Sequence, residues 1–254
     1  MTLTDLEYKD SLRLAWTPSV RPVSAALTEP GLLCHDDPVH LHRAVAEAMT
    51  VNETSFFRDR TTFDMLRDRI LPDLIDRRRS SRRLRIWSAA CSTGQEAYSL
   101  AMLLWEHLPE IADWDLQILG TDISWRVVEY ARKGRYSRLE VNHGLPARML
   151  LKHMTRSDER WQVNSGPRAM CKFQSLNLCA SLAGLPVFDL ILLRNVLFYF
   201  ELRDHAALFG TVHHHMAEDG ILVLGAVEQA EDATRLFEPE ISGQAIFYRL
   251  AKVL

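Results

Sequence analysis

The stretch LRIWSAACSTGQEAYSLAMLLWEHL, residues 84–108, opens on an apolar run, narrows to small residues and then turns helical. Leu84, Ile86 and Trp87 lead into the turn Cys91-Ser92-Thr93-Gly94, and Glu96 stands at the head of the segment that follows. A short apolar run bounded by small turn residues reads as a strand buried on both faces, and the segment after it as its crossover helix. The pattern repeats outward. WDLQILGTDI (114–123) is a second strand ending at Asp122, with WRVVEYARKG (125–134) as its helix. FDLILLRNVLFYF (188–200) is a strand running into a loop, followed by a helix at 202–216, a strand at 220–228 and a closing strand at 244–254. Such alternation implies an α/β fold, a parallel sheet with helices on both faces. Residues 137–172 interrupt it with a helical piece, PARMLLKHM, and a polar hairpin-like stretch, RWQVNSGPRAMCKF. They are expected to form a small β-containing insertion.

The domain plan divides at residues 37 and 80. Residues 1–37, punctuated by Pro18, Pro22 and Pro30, read as a divergent, irregular N-terminal segment. Residues 38–80 read as a small helical region, with Phe63, Leu66, Ile70, Leu71 and Leu74 at helical spacing near its end. It runs into RRRSSRRLR, six arginines within residues 77–85, either a solvated helix end and linker or an electropositive edge facing an acidic partner. Residues 81–254 form the ligand-binding domain.

Composition removes several function classes. A net charge of −3 over 254 residues lacks the footprint of a nucleic-acid binder. The most apolar stretch, 186–200, is broken by Asp189, Arg194 and Asn195, so no integral membrane segment is expected. The polar start MTLTDLEYKD is no secretory signal, and four cysteines without a CxxC pair imply a reduced, cytoplasmic chain. His213-His214-His215 point in different directions on a helix, so no metal site is expected.

The polar residues of interest fall at strand ends, where open parallel sheets bind ligands. The turn at residues 91–94 holds one glycine, unlike the GxGxxG of dinucleotide binders, yet its small side chains permit close backbone approach. An acid at the tip of the second strand, Asp122, can accept hydrogen bonds from ribose hydroxyls, or can cap the next helix. Together they point to adenosine without a pyrophosphate, of which S-adenosylmethionine is the commonest form. Glu96 suits its cationic sulfonium or ammonium group. Arg194 and Asn195 end an apolar strand and need partners there. Asn177 and Leu178 follow a short strand, where they would lie beside the adenine or simply make a turn.

In ordered blocks the chain resembles the CheR-type chemotaxis receptor methyltransferases, which methylate glutamate side chains of bacterial chemoreceptors with S-adenosylmethionine. The blocks are NETSFFRD (52–59), IWSAACSTGQEAYSLA (86–101), LGTDIS (119–124), ARKGRYS (131–137), FQSLNL (173–178), FDLILLRNVLFYF (188–200) and DGILVLGAVE (219–228). The resemblance implies a Rossmann-like class I methyltransferase sheet, S-adenosylmethionine as donor and S-adenosylhomocysteine as product. It implies that NETSFFRD folds over the cofactor, with Asn52, Thr54 and Arg58 in contact and Phe56 and Phe57 packing the loop. Arg58 and Tyr199 match the positions flanking the transferred methyl group; Glu96, Asp122, Asn177, Leu178, Arg194 and Asn195 match the cofactor contacts. The implied partner is the cytoplasmic helical domain of a chemoreceptor. The chain departs from the pattern in its short N-terminal part, and in Gly225-Ala226-Val227-Glu228 where the family has Gly-His-Ser-Glu. Its insertion around residues 157–160 looks shorter than in members that grip a receptor's C-terminal peptide, so no such tethering is expected. Two other readings stay open at this level: the same fold and donor with another acceptor, and a non-catalytic sensor of the cofactor.

Overall fold

The structure, a computed structural model, describes residues 53–107, 113–180, 182–230, 233, 235–243 and 245–251. Segment 1–37, the helix expected from Pro38 and the candidate contact Asn52 lie outside these residues. Helices α1 (Arg60–Met65) and α2 (Leu71–Arg78) are joined by a π-turn (Leu66–Ile70). Phe63, Leu66, Ile70, Leu71 and Leu74 are all buried, the face that helical spacing predicts.

The chain continues through β1 (Arg83–Ala89), α3 (Gln95–His107), β2 (Asp115–Asp122) and α4 (Trp125–Lys133). The insertion holds β3 (Arg135–Ser137), α5 (Arg138–Asn142), α6 (Ala147–His153), β4 (Met154–Ser157), β5 (Arg160–Val163) and α7 (Ser165–Met170). The remainder is β6 (Cys171–Ser175), β7 (Phe188–Leu193), a 3-10 turn (Leu197–Tyr199), α8 (Leu202–His214), β8 (Met216–Leu224), β9 (Phe237–Ser242) and β10 (Ala245–Leu250). Local chemistry explains the boundaries. Ser124 caps α4, accepting from the Val127 N–H at 3.3 Å, and left-handed Gly134 ends it. Ser137 and Glu140 form a reciprocal capping box on α5.

Seven strands form one sheet in the order β6-β2-β1-β7-β8-β10-β9. Strands β6, β2, β1, β7 and β8 are parallel, and β10 and β9 add antiparallel at the edge. Side chains alternate between the two faces. Ile86, Ile118, Leu190 and Ile221 join a core with α1, α2 and α3, whereas Trp87, Leu119, Ile191 and Leu222 pack against Leu208, Phe209 and Val212 of α8. At roughly 1.5–3 kcal/mol for each fully buried aliphatic side chain, these two layers supply the main driving force. The chain leaves β1 toward β2 and β6, then returns to β7 on the other side of β1. That reversal opens the crevice where ligands bind such sheets.

Three expectations need correcting. The insertion is a separate sheet, β3-β5-β4. Its hairpin pairs Met154–Ser157 with Arg160–Val163, while Ser165–Met170 is helical and Cys171 begins β6. The edge strand β9 was not anticipated, because FEPEIS carries Pro239 and two glutamates, a composition that marks edges rather than central strands. Finally, three of the six arginines of the run, Arg77, Arg78 and Arg85, are partly buried in ion pairs rather than solvated, whereas Arg79, Arg82 and Arg83 are exposed. Arg78 bridges Asp189 at 2.7 Å and Asp219 at 2.8 Å, and Arg77 bridges Asp73 at 2.8 Å and Asp219 at 2.9 Å. The backbone N–H of Arg85 donates to Asp189 at 2.7 Å. These groups tie α2 to the amino ends of β1, β7 and β8, opposite the crevice.

Candidate active site

At the carboxyl end of β1 the backbone turns sharply. Ala90 (φ 55°), Ser92 (φ 50°) and Gly94 (φ 92°) are all left-handed. The Cys91 N–H donates to the Thr121 carbonyl at 2.8 Å, holding the turn against the tip of β2. Asp122 completes the join: its carboxylate accepts from the Ser92 N–H at 2.8 Å and the Ser124 N–H at 3.0 Å. These two bonds fix the orientation of its carboxylate at the rim of the crevice. Gly94 also lets α4 approach; a Cβ there would stand 2.8 Å from the Ala131 Cβ. The hydroxyl of Ser92 is buried beside Asp122 with no hydrogen-bond partner. Buried polar groups rarely go unpaired, so this hydroxyl is ready for a ligand.

Beneath the turn lies a buried ionic cluster. Arg194, its side chain 1% exposed, reaches the Glu96 carboxylate at 2.7 Å and Asp59 at 2.9 Å. The same guanidinium donates to the Arg58 carbonyl at 2.8 Å and lies 5.5 Å from the centre of the Phe63 ring. Glu96 accepts a further bond from the Ser88 hydroxyl at 2.7 Å. Arg194 therefore fastens the loop before α1 to the first turn of α3. Four carboxylates (Asp59, Glu96, Asp122 and Glu228) against the two guanidiniums of Arg58 and Arg194 leave the crevice net negative, which favours a cationic ligand.

The loop over the crevice is pinned at several points. Phe56 is fully buried, with its ring 5.0 Å from that of Tyr136 in an edge-on contact. Its carbonyl presses so closely on left-handed Gly144 that a Cβ there would come within 2.0 Å of the oxygen. The Phe57 N–H donates to the Ser99 hydroxyl at 3.0 Å, and the Arg58 guanidinium donates to the Glu53 carbonyl at 2.7 Å. Phe57 and Asp59 take positive φ. Five of the seven non-glycine residues with positive φ among the described residues, namely Phe57, Asp59, Ala90, Ser92 and Asn195, belong to the crevice loops. At roughly 1–3 kcal/mol each, strain so concentrated marks a functional region.

Beyond β7 the loop carrying Asn195 and Tyr199 hangs from one side chain. The Glu228 carboxylate accepts from the N–H groups of Asn195 (2.7 Å), Val196 (2.8 Å), Leu197 (2.8 Å) and Gly225 (2.8 Å). It caps the 3-10 turn that presents Tyr199. Burial pushes the Tyr199 phenol up, Arg58 opposes this, and Glu53 and Asp122 add to the rise. The phenol therefore stays protonated at neutral pH, as a hydrogen-bonding group.

The structure thus gathers Arg58, Glu96, Asp122, Arg194, Asn195 and Tyr199 about one crevice, with Thr54 half-buried at its loop. Asn177 makes an Asx-type turn, accepting from the Cys179 N–H at 2.9 Å, and the Leu178 side chain packs in the core with Trp87 and Leu119. Of Leu178, the backbone is what remains to meet a ligand. Ser88, Asp59, Ser92 and Glu228 were not among the expected site residues. Asp59 closes the NETSFFRD block, Ser92 sits in the small-residue turn and Glu228 closes a glycine turn just after a strand, but none of these signals singled out the residue, and Ser88 had none. The consecutive histidines diverge as expected: His213 lies against Phe237 and His215 against Trp87. No described helix is long and apolar enough to cross a membrane.

Residues 52–246 match the family described as "CheR methyltransferase, SAM binding domain". Chemotaxis protein methyltransferase 1 of Pseudomonas aeruginosa is 36% identical over 214 residues, covering 82% of this chain and 77% of that one. Chemotaxis protein methyltransferase Cher2 of Pseudomonas putida is 36% identical over 193 residues, 74% of this chain and 70% of its own. Among solved structures, the SAM-bound magnesium protoporphyrin IX methyltransferase of Synechocystis PCC 6803 is a remoter likeness. It is 14% identical with a TM-score of 0.41, covering 80% of this chain and 87% of that one.

Proposed function

Because the chain belongs to the CheR methyltransferase family, and so takes S-adenosylmethionine as its methyl donor, we propose that it methylates glutamate side chains of chemoreceptors in the cytoplasm. The observation that carries the reading is the crevice itself. It is net negative, its Ser92 hydroxyl is buried without a partner, and Asp122 is held at the tip of β2 by two backbone N–H groups. These features fit a sulfonium nucleoside. Asp122 and Ser92 would hold its ribose, the Glu96–Arg194 pair its methionyl end, and the loop at Asn177-Leu178 its adenine. The bound donor supplies an electrophilic methyl group.

The chain's own residues do the rest. A glutamate acceptor is already ionised at neutral pH, so no general base is required, and the protonated Tyr199 is suited to bonding rather than to proton removal. Arg58, beside Tyr199, can orient the incoming carboxylate through a charge-assisted contact. Its positive charge also discourages lysine as nucleophile. Holding the reactants in line can account for roughly 7–11 kcal/mol of the barrier. Charge is neutralised as transfer proceeds, so a dry site helps, and Phe56 and Phe57 seal the loop that covers it.

The test is incubation with methyl-labelled donor and receptor-enriched membranes. The reading expects base-labile label on a receptor. Label on another acceptor, or tight donor binding with no transfer, would contradict it.

A further inference from the structure

We propose that Tyr136, in the insertion, is a positioning residue for methyl transfer, one side chain holding both the turn that seats the donor and the loop that covers it. Its hydroxyl donates to the Thr93 carbonyl at 2.7 Å, between Ser92 and Gly94 in the turn after β1. Its ring stands 5.0 Å from that of Phe56, nearly perpendicular at 78°, and Phe56 precedes Arg58 by two residues. The turn and the loop lie on separate parts of the chain, and Tyr136 belongs to neither. It is fixed from its own side: β3 pairs Tyr136 with Trp161 of β5, and the ring also lies 6.2 Å from that of Tyr98 and 5.7 Å from that of Tyr130. The side chain is fully buried, and burial pushes its phenol well up, so the hydroxyl is a donor at neutral pH.

The role rests on the reading of the crevice as the donor's seat, and gives the insertion a part in it. The insertion grips the covering loop twice, through the Tyr136 ring and through the close approach of Gly144 to the Phe56 carbonyl. It grips the donor turn through the Tyr136 hydroxyl. A side chain so buried between turn and loop sets the separation of Ser92 from Arg58. Misplacing reacting groups by about 1 Å can slow a reaction about a hundredfold. The two contacts act on different steps. The hydroxyl bears on the turn that meets the donor, and hence on donor affinity. The ring bears on the loop that carries Arg58, and hence on transfer.

The test is a split between affinity and rate. Tyr136→Phe keeps the ring and loses the hydroxyl. It should weaken calorimetric binding of S-adenosylhomocysteine and raise the KM for S-adenosylmethionine about tenfold each, with kcat for receptor methylation within about twofold. Phe56→Leu keeps the hydroxyl bond and loses the ring contact, and should lower kcat about tenfold with donor affinity within about threefold. Tyr98→Phe is the control, because it removes another buried hydroxyl, one that donates to the Ala131 carbonyl at 2.8 Å near the end of α4. It should lower the melting temperature as Tyr136→Phe does, yet leave donor affinity and kcat at wild-type values. Wild-type donor affinity in Tyr136→Phe, wild-type kcat in Phe56→Leu, or an equal loss of affinity in Tyr98→Phe overturns the positioning role while the donor site stands. Absence of S-adenosylhomocysteine binding by the folded wild type overturns both.

Discussion

Replacing Glu228 by alanine removes the acceptor for four backbone N–H groups at once, those of Asn195, Val196, Leu197 and Gly225, all at 2.7–2.8 Å. A hydrogen bond to an ionised group contributes about 1.5–3 kcal/mol when buried and about half that where water can substitute. Glu228 is half-buried and its four bonds share one carboxylate, so their contributions do not add and water will recover much of the loss in the alanine variant, leaving a destabilisation of about 2–4 kcal/mol. For a chain of this size each kcal/mol moves the melting temperature by roughly 2–4 °C, giving a fall of about 4–16 °C by calorimetry. Glu228→Gln is the sharper probe. Its one oxygen can serve two of the four donors, but its amide group faces the other two, so it should stabilise no better than alanine. Since the same carboxylate caps the turn bearing Tyr199, both variants should lose at least tenfold in kcat. Melting within about 1 °C of wild type and unchanged kcat in both would refute the view that this side chain sets the loop.

Arg58→Ala should lower kcat by about a hundredfold while leaving the affinity for S-adenosylhomocysteine within a few-fold, as expected for a group acting in the transition state; equal losses in both would contradict the assignment. Gly144→Ala should destabilise by more than about 2 kcal/mol in denaturant unfolding, because it combines a left-handed backbone with a Cβ placed 2.0 Å from the Phe56 oxygen. Hydrogen bonds from Arg78 and Arg77 hold the Asp219 carboxyl down at about 2. Because its folded value lies below the unfolded one, its contribution is full above about pH 4 and is lost as pH falls toward 2. Asp219→Asn should therefore lower stability at neutral pH by about 1 kcal/mol or less, given its solvent exposure, and flatten the acid limb of the unfolding curve.

The fold was largely legible because its strands are buried on both faces. Apolar runs such as Leu84–Trp87 and Phe188–Leu193, each followed by a helical period, admit few alternatives to a parallel sheet. Strand β9 was not legible, since an edge strand needs only one paired side and can carry Pro239. The arginine run misled because sequence shows charge but not the carboxylates that meet it. Asp189 and Asp219 lie more than a hundred positions from Arg78 in the chain. At the site, Asp122 and Arg194 stand out as polar groups ending apolar strands, and Glu96 as an acid opening the helix after the turn. Ser88 and Ser92 did not, because a serine in a small-residue turn looks like packing until its hydroxyl is seen to have a partner or to lack one. Arg58 and Tyr199 came from family resemblance alone, and the structure gives them a shared surrounding.

The proposed seat of the methyl donor is the crevice between the turn after β1 and the tip of β2. Calorimetric titration of S-adenosylhomocysteine into the wild-type chain and into Asp122→Asn tests this directly. One saturable site is predicted in the wild type. The variant, which keeps an oxygen for one backbone N–H, should bind at least tenfold more weakly while retaining its fold by circular dichroism. Equal affinity in the two proteins, or no binding to the folded wild type, would contradict it.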